Sequence, residues 1–541
     1  MTLEGGNVST GWNLADIWES NAARFADSPA QIQGERVIVW DCFDKRAESV
    51  SAVLTDYGLG HQAKVAQYLY NCPEYLESVF ACFKQSFVPV NTNYRYLDDE
   101  IAYLWNDADI EAVVFHGIFS DRCARMHERV DGIKVWLWVD DGSGDKPDWA
   151  LDYEDVATSG QVVVSKAIRS GDDIYMLYTG GTTGMPKGVM WRQDDVVVNL
   201  TAADRYPLPD VPSREALESV VRKPSPPCIP AAPLMHGTGA FVSMHNLMRA
   251  GCTVTLVKRS FEPEELLSAI GAHRVGKVSV VGDAFCRPIL DALDSSDGKF
   301  DLSSLKVIQS SGALWSEEVK QGLLRHKESL LLVDVLGSSE SLGGPQRKSG
   351  AGSVEGGEGF TISERTRVIG DDGRDVVWGS GEKGRVAILG RNALGYYKSE
   401  EKTAQTFVVI DGVRYSIPGD WAEVLADGTL KLLGRGSNCI NSGGEKIFPE
   451  EVEEVILRYG GVADAVVVGV PDARFGEAVT ALVQLVVGAT VKEADLIAHV
   501  KRNLASYKAP KRIVFGPVRR FENGKADLKG INEDVRKAVS A

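Results

Sequence analysis

The sequence predicts an α/β protein with a large N-terminal domain of βαβ-type sheets plus a small β-structure, followed by a smaller, mobile α+β C-terminal domain. Its 541 residues are too many for one hydrophobic core. Strand-like and helix-like segments alternate over most of the chain, and a Gly-rich interruption near residue 434 separates a tail of about a hundred residues. We expect the large domain at residues 1–434, a hinge at 435–439 and the small domain at 440–541.

The first alternating segments lie within residues 40–115. Apolar residues at helical spacing predict a helix over 43–57 that ends at Gly58. Residues 65–70 have the pattern of a strand, Asn71 that of a helix N-cap, and 87–90 that of a short strand before a helix near Glu100. This order indicates a parallel sheet covered by helices.

A second alternating region follows residue 264. Its three strands run directly into polar or Gly-rich sequences, which read GDAFCRP, SSGALWS and GSSES. Because ligands of open α/β sheets bind at the carboxyl ends of the strands, we expect these loops to converge on one nucleotide site. The predicted elements are helices 264–273, 284–293 and 317–325, and strands 277–281, 307–310 and 330–335.

The remaining segments comprise an insertion, a small β-structure and the tail. Residues 207–227 are framed by prolines around a short helical stretch, and they fit a cover for the substrate or a plain surface excursion equally well. Residues 379–395 are rich in Gly and predict the small β-structure. In the tail we expect helix 449–458, strands 463–470 and 478–486, helix 491–504 and a strand near Ile513.

Composition and charge narrow the classes of function. The net charge of −16 argues against general affinity for nucleic acid or an anionic membrane. The eight cysteines lack CxxC spacing, so we expect reduced thiols rather than a zinc site or a disulfide framework. The first residues show no basic stretch followed by an apolar one, and no run reaches the roughly 18 apolar residues of a membrane span, so a cytoplasmic protein is expected.

One segment, YTGGTTGMPKGV at 178–189, has the composition of a phosphate-binding loop. Its glycines let backbone N–H groups approach an oxyanion, its threonine hydroxyls can donate to phosphate or bind a metal, and Lys187 supplies positive charge. A Walker loop is excluded because Pro186 precedes the lysine and Gly188 follows it, and the dinucleotide fingerprint lacks its earlier glycine. The alternative is a Gly/Thr-rich surface loop with a chance lysine.

Further motifs occur along the chain, namely SGALWS at 311–316, LGSSES at 336–341, PGDW at 418–421 and FENGKAD at 521–527. The tail adds SGGEKIFPEEVE and VPDARFGEAV. With the phosphate loop, and in this order, they resemble the AMP-forming adenylating superfamily of acyl- and aryl-CoA synthetases, luciferases and peptide-synthetase adenylation domains. The resemblance covers nearly the whole chain.

The resemblance implies a role for individual residues. It assigns catalysis to Lys525, Glu340 and Lys187, Mg²⁺ binding to Glu340 and Thr182, and contacts with the acid to His236 and Gly282. From the residues alone, Glu340 could cap a helix, Asp420 could be a turn residue and His236 a packed side chain. Contacts with ATP or coenzyme A are implied for Thr179, Gly180, Gly181, Thr182, Thr183, Gly184, Lys187, Gly312, Ala313, Asp334, Gly337, Ser338, Ser339, Asp420, Arg435, Gly443, Gly444, Glu445 and Lys446.

The implied reaction has two steps, and the implied co-substrates are ATP with Mg²⁺ and then coenzyme A. Lys525 would serve adenylation, and after rotation of the small domain the SGGEK loop would line the approach of the thiol, where two glycines let the backbone lie close to a narrow tunnel. The sequence departs from the family in two places. Ser437 and Asn438 replace the usual Lys-Asp of the hinge, and Leu336 replaces an aromatic residue that packs on adenine.

The acid is the least defined part of the prediction. The motif wording is closest to actinobacterial fatty-acyl and steroid-side-chain CoA ligases, and the apolar runs GAFVSMHNLM and VVGDAF could line a large pocket or form core. Alternatives are an enzyme that passes its adenylate to a carrier-protein thiol, and a nucleotide-binding regulator without turnover. The expected partners are small molecules, namely the acid, ATP and coenzyme A, and a homodimer is an assembly that the sequence leaves open.

Overall fold

We describe the protein from a computed structural model, which describes residues 11–180, 185–312, 315, 317–350, 359–370, 372–435, 440–447, 449–519 and 526–540. The helices are α1 Leu14–Arg24, α2 Trp40–Asp56, α3 Pro73–Lys84, α4 Asp98–Asp107, α5 Ser120–His127, α6 Tyr153–Ala157, α7 Gln193–Thr201, α8 Arg214–Val220, α9 Gly237–Met248, α10 Pro263–Ala272, α11 Gly282–Asp294, α12 Glu317–His326, α13 Glu400–Thr406, α14 Pro449–Leu457, α15 Glu493–Asn503 and α16 Leu528–Ser540. None of these helices is both long enough and apolar enough to cross a bilayer.

The strands fall into three sheets. They are β1 Pro29–Gln33, β2 Arg36–Val39, β3 Lys64–Tyr68, β4 Val88–Asn91, β5 Ile110–His116, β6 Val135–Val139, β7 Leu151–Asp152, β8 Ile174–Gly180, β9 Pro186–Arg192, β10 Cys228–Pro230, β11 Thr253–Thr255, β12 Lys277–Val280, β13 Val307–Ser311, β14 Leu331–Val335, β15 Gln346–Gly350, β16 Phe360–Thr361, β17 Thr366–Ile369, β18 Lys383–Leu389, β19 Gly395–Tyr396, β20 Phe407–Ile410, β21 Val413–Ser416, β22 Asp420–Val424, β23 Thr429–Arg435, β24 Ile440–Ser442, β25 Glu445–Ile447, β26 Val462–Asp472, β27 Gly476–Leu485 and β28 Arg512–Phe515.

An eight-stranded sheet carries the phosphate loop. Its order is β19-β9-β8-β4-β3-β5-β6-β7. The strands from β8 to β7 in this order pair in parallel, whereas β9 runs antiparallel to β8. Every residue of β6, which reads VWLWV, is buried, as expected for a parallel strand covered on both faces.

The second sheet combines a parallel half with an antiparallel half. Its described strands follow the order β2-β1-β11-β10-β12-β13-β14-β15-β16-β23-β22-β18-β21-β20, with β17 beside β18. Strands β1, β11, β10, β12, β13 and β14 are parallel neighbours, and the pairs from β14 onward are antiparallel. Helices α10 to α12 contribute to the apolar cluster that covers the parallel half. The antiparallel half contains the β-structure predicted over 379–395.

The small domain has its own sheet and its own core. The strand order is β25-β24-β27-β26, and β28 lies beside β27. Helices α14 and α15 bury Val452 and Leu496 against Val467 and Val479 of the sheet. The α/β fold with a large sheet domain and a smaller α+β domain is therefore confirmed.

One predicted cap is wrong. Helix α3 begins at Pro73 with Cys72 as its N-cap, and Asn71 lies outside it. Proline at the first helical position needs no hydrogen-bond acceptor, so a side-chain cap gains less there. The Asn71 amide instead donates to the carbonyls of Pro230 and Ala232 at 3.1 and 3.3 Å, and its oxygen accepts the N–H of Leu234 at 2.7 Å. Asn71 thus joins the end of β3 to the chain that leaves β10.

The predicted insertion at 207–227 contains α8 and is anchored to the large domain. The Trp12 indole donates to the Pro209 carbonyl at 2.7 Å, and Arg391 pairs with Asp210 at 3.0 Å. Leu208 and Leu217 are buried in the largest apolar cluster. These contacts fix the segment against the large domain, and its role as a substrate cover stays a prediction.

Candidate active site

The phosphate loop connects two antiparallel strands at one edge of the eight-stranded sheet. Thr179 pairs with Lys187 and Gly180 with Pro186, so these residues flank the loop, while Gly181, Thr182, Thr183 and Gly184 lie outside the described residues. Burial lowers the pKa of the half-buried Lys187 ammonium, with a smaller contribution from the nearby Lys402. The lysine is therefore positioned beside the loop that the sequence assigns to phosphate.

Asn91 connects this strand pair to the segment before α9. Its amide donates to the carbonyls of Tyr178 and Met235 at 2.9 and 2.7 Å, and its oxygen accepts the N–H of Tyr178 at 2.7 Å. The side chain is buried, so all three bonds are shielded from water. The phosphate loop and His236, which directly follows Met235, are thereby held in one frame. No sequence motif indicated this role for Asn91.

Glu340 lies in the loop that follows β14, and its side chain is buried. Its Oε1 accepts a hydrogen bond from the Tyr396 hydroxyl at 2.7 Å, and the neighbouring Ser339 carbonyl accepts the Trp191 indole N–H at 2.8 Å. Because Trp191 belongs to β9, this bond ties the Glu340 loop to the phosphate hairpin. Residues 341–345 form no helix, so the reading of Glu340 as a helix cap is wrong.

The carboxyl ends of β12, β13 and β14 meet as predicted. The Gly282 N–H donates to Ser310 Oγ at 2.9 Å, and Gly337 lies close enough to Ser311 that an added Cβ would be 3.9 Å from its hydroxyl. Gly312 follows Ser311 with a φ of +91°, a conformation that favours glycine. In the next loop, the Ser338 hydroxyl oxygen accepts the backbone N–H of Glu340 at 3.2 Å. Ala313 lies outside the described residues.

Asp334 is held by a buried lysine that the sequence did not single out. Its carboxylate pairs with the ammonium of Lys320, whose side chain is 1% exposed. The same ammonium lies 5.3 Å from the centre of the Trp315 ring. Burial raises the pKa of Asp334, opposed by the charge of Lys320. Asp334 therefore sits at the strand end beside Ser310 with its orientation fixed.

Asp420 and Arg435 are neighbours across two strands. Asp420 begins β22 and pairs with Arg435, the last residue of β23. The preceding Gly419 has a φ of +103°, which turns the chain into the strand. Asp420 is thus the first residue of a strand rather than only a turn residue. Contact of both residues with the nucleotide stays a prediction.

The SGGEK segment forms a hairpin that is docked against the large domain. Strands β24 and β25 pair through Ser442 and Glu445, and the turn residues Gly443 and Gly444 have φ angles of +59° and +83°. A Cβ built on Gly444 would lie 2.6 Å from Cγ1 of Val281. Val281 directly precedes Gly282, so the hairpin tip reaches the strand end assigned to the acid. Lys446 pairs with Asn441 through the backbone.

Glu445 completes this contact between the domains. Its Oε1 lies 3.3 Å from His236 Nε2 and 3.2 Å from Arg95 Nη1, and the side chain is buried. Burial favours the neutral acid, but the charges of His236, Arg95 and Lys508 outweigh it and lower the pKa of Glu445. His236 is therefore half-buried at the N-terminus of α9 and faces a carboxylate, rather than being a packed core residue.

The two apolar runs near the candidate acid site differ in their surroundings. Phe241 and Met244 of α9 are buried in the largest cluster, and the Phe241 ring lies 5.9 Å from that of Tyr175. Phe285 of α11 is only half-buried, with its ring 4.6 Å from that of Phe261. The first run is therefore mainly core, and the second is the better candidate for a pocket wall.

Three further predicted positions lie outside the described residues, in addition to Ala313 and the four loop residues 181–184. They are Lys525 and the hinge residues Ser437 and Asn438. The seven cysteines within the described ranges form no disulfide with one another, and the expectation of reduced thiols stays a prediction. The structure thus brings together the phosphate hairpin, the Glu340 loop, the ends of β12 to β14 and the SGGEK hairpin.

Comparison with protein families matches both parts of the chain. Residues 18–397 match the family described as AMP-binding enzyme, and residues 451–525 match the AMP-binding enzyme C-terminal domain. A medium/long-chain-fatty-acid–CoA/3-oxocholest-4-en-26-oate–CoA ligase of Mycolicibacterium smegmatis is 38% identical over 96% of this chain and 95% of its own length. A 3-oxocholest-4-en-26-oate–CoA ligase of Rhodococcus rhodochrous is 36% identical over 96% and 95% of the two chains.

Solved structures share the fold. The amide bond synthetase McbA from Marinactinospora thermotolerans has a TM-score of 0.78 at 22% identity, covering 96% of this chain and 99% of its own. The o-succinylbenzoate CoA synthetase of Bacillus subtilis, solved with a product analogue, has a TM-score of 0.77 at 19% identity over 96% and 98% of the two chains. At these identities the likeness concerns the fold alone.

Proposed function

Because the chain belongs to the AMP-binding enzyme family, we propose that it is an ATP-dependent, AMP-forming ligase that converts a long-chain fatty or steroid-side-chain carboxylic acid to its coenzyme A thioester. Support for the acid comes from the relatives named as fatty-acid and 3-oxocholest-4-en-26-oate CoA ligases, which are similar over nearly their whole length. The half-buried pair of Phe261 and Phe285, whose rings are in contact, agrees with a large apolar acid. ATP and coenzyme A are held inside cells, so the proposal includes a cytoplasmic enzyme.

The docked SGGEK hairpin is the observation that carries the proposal. Gly444 lies against Val281, and Glu445 reaches His236 at the start of α9. Such close backbone packing would leave room for only a narrow, unbranched thiol arm. We assign this arrangement to the second half-reaction, in which coenzyme A attacks the adenylate.

The first half-reaction joins two anions, so positive charge must accompany it. A carboxylate oxygen bonds to the α-phosphorus of ATP while the bond from that phosphorus to pyrophosphate breaks. Lys187 would bind phosphate oxygens beside the loop of Thr182 and Thr183, and Lys525 would bridge the carboxylate and the α-phosphate. Gly312, Ala313 and Asp334 would contact the adenine, and Asp420 and Arg435 the ribose.

The residues present fit Mg²⁺. The buried carboxylate of Glu340, oriented by the Tyr396 hydroxyl at 2.7 Å, supplies the oxygen donor that this ion prefers. Glu340 and Thr182 would hold the ion, with Ser339 beside them, and bound Mg²⁺ supplies charge that neutralises phosphate oxygens. Tyr396 would keep the carboxylate in place when phosphate arrives.

In the second half-reaction the thiol sulfur bonds to the carbonyl carbon of the adenylate. The bond from that carbon to the AMP oxygen breaks, the thiol proton is released, and AMP and acyl-CoA are the products. His236, held by Glu445, stands at the mouth of the acid site and would gate the approach of the thiol. A homodimer remains compatible with this scheme, since each chain carries a whole candidate site.

The experiment is a measurement of pyrophosphate release from ATP and Mg²⁺ across acids from short fatty acids to steroid side-chain acids, with and without coenzyme A. The proposal expects release that depends on a long-chain or steroid-side-chain acid, and formation of AMP and the acyl-CoA when coenzyme A is present. An acid-dependent adenylate that coenzyme A does not consume would favour transfer to a carrier-protein thiol instead. No acid-dependent release with any acid would favour a nucleotide-binding regulator.

A further inference from the structure

A second contact between the domains lies outside the candidate active site. The ammonium of Lys508, in the small domain, donates to Glu100 Oε1 of α4 at 2.7 Å, and the two residues are 408 positions apart in the sequence. Their side chains are only 5% and 6% exposed. The proposed chemistry uses neither residue, yet burying two charges costs free energy unless they pair well. This cost indicates that the pair has a function outside the proposed chemistry.

The large domain presents Glu100 in a fixed orientation. Its Oε2 accepts the N–H of Leu97, the N-cap residue of α4, at 2.9 Å and so satisfies a free donor at the start of the helix. The guanidinium of Arg122 donates to the Tyr96 carbonyl at 2.9 Å and so holds the chain before the helix. One oxygen of Glu100 thus caps the helix while the other meets Lys508.

The small domain presents Lys508 just as firmly. Its N–H donates to the Ala505 carbonyl at 2.9 Å, and Ala509 beside it is buried in the core of the small domain. The ammonium also lies 5.4 Å from the centre of the Tyr96 ring. Nearby, the Arg95 guanidinium lies 5.7 Å from the Tyr507 ring and pairs with Glu445 at 3.2 Å. The segment from Arg95 to Glu100 is thus in contact with the small domain at both ends.

We propose that Lys508 and Glu100 are positioning residues that select the docked arrangement of the small domain and so serve the thioester step. This inference rests on the proposed two-step function. The pair is formed only when Lys508 reaches Glu100, and the same docking places Gly444 against Val281. When the small domain is undocked, the Lys508 ammonium and the Glu100 carboxylate are each hydrated by solvent. A misaligned docking would bury both charges unpaired, so the pair favours the correct arrangement over near alternatives.

The test compares Lys508→Met, Glu100→Gln and the double variant with the wild type. Lys501→Met, which changes an exposed lysine of α15, is the matched control. Two rates are measured separately, namely acid-dependent pyrophosphate release and acyl-CoA formation from supplied acyl adenylate. Hydrogen–deuterium exchange of a peptide covering 94–101 reports docking directly, without any reaction.

Loss of the pair should slow thioester formation selectively. Lys508→Met leaves Glu100 buried without its cation, so thioester formation should fall at least about tenfold while pyrophosphate release stays within about twofold. Exchange of the 94–101 peptide should rise. The double variant buries no unpaired charge and should recover at least about threefold over Lys508→Met.

Two results would overturn the inference while acyl-CoA formation by the wild type upholds the function. One is an equal loss of both rates in Lys508→Met. The other is wild-type rates in that variant together with unchanged exchange. If the wild type forms no acyl-CoA, the proposed function fails. The exchange measurement then still judges the pair, because unchanged exchange of the 94–101 peptide in Lys508→Met would overturn docking through Lys508.

Discussion

Adding one methyl group at the tip of the docked hairpin should separate the two half-reactions. In Gly444→Ala, the new Cβ would lie 2.6 Å from Cγ1 of Val281, closer than side-chain carbons approach each other. The clash exists only while the hairpin is docked. We therefore expect slower acyl-CoA formation from supplied adenylate, and nearly unchanged acid-dependent pyrophosphate release.

The magnitude follows from two separate costs. The φ of +83° at Gly444 disfavours alanine by about 1–2 kcal/mol, but this cost applies to the hairpin in either position of the small domain. The overpacking against Val281 costs about 1–3 kcal/mol and applies to the docked position alone. Only the second cost enters the ratio of the two rates, so the ratio should change about 5- to 150-fold.

The assay measures both rates for the wild type, Gly444→Ala, Val281→Ala and the double variant. Shortening Val281 removes the atom that the new methyl meets, so the double variant should recover much of the loss. Gly460→Ala is the matched control in the same domain, because a Cβ at Gly460 would meet nothing within 4 Å. It should leave both rates near those of the wild type.

Two results would refute the reasoning. Equal slowing of both half-reactions in Gly444→Ala would mean that the docked hairpin has no special part in thioester formation. A double variant no faster than Gly444→Ala would mean that Val281 is not the obstacle to docking.

Two further predictions concern catalysis and stability. Lys525→Ala should lower acid-dependent pyrophosphate release at least about 100-fold and leave acyl-CoA formation from supplied adenylate within about threefold, since its charge serves the first step alone; comparable loss in both assays would contradict this. Burial lowers the pKa of His116 to about 4, and its Nδ1 accepts the Tyr70 N–H at 3.0 Å. The pKa of histidine in an unfolded chain is about 6.5, so between that pH and the lower folded pKa the unfolded chain binds more protons than the folded one. The free energy of unfolding should therefore fall by about 3 kcal/mol as pH drops through that window. His116→Asn should lack this part of the fall when urea unfolding is compared at about pH 7 and about pH 4.5, and identical pH dependence of both proteins would exclude His116 as its source.

The helices and strands could be predicted because each follows from the local spacing of apolar residues. Helices α2, α10 and α12 and strands β12 to β14 show the spacing of apolar residues that their environments require. The one wrong cap, Asn71, illustrates the limit. Its side chain bonds to carbonyls of Pro230 and Ala232 far away in the sequence, and no local pattern reports such partners.

The site was predictable in its residue types but not in its contacts. Glycines at 443 and 444 indicated a close approach, yet their neighbour Val281 emerged only from the tertiary structure. Glu445 and His236 are 209 positions apart, and nothing in either motif indicates that they meet. Buried ion pairs such as Lys508 with Glu100 depend on how two domains dock, which propensity and periodicity do not encode.

The bonds of Asn91 bear on what happens to the intermediate between the two steps. An acyl adenylate is a mixed anhydride that water can destroy. Asn91 fixes the phosphate strand to the chain before His236, and Trp191 fixes the Glu340 loop to the same strand. All of these groups belong to the large domain, so the binding pocket would keep its shape during the proposed rotation of the small domain. The reactive anhydride would then stay bound while the SGGEK hairpin takes the place of Lys525, and little of it would be lost to hydrolysis.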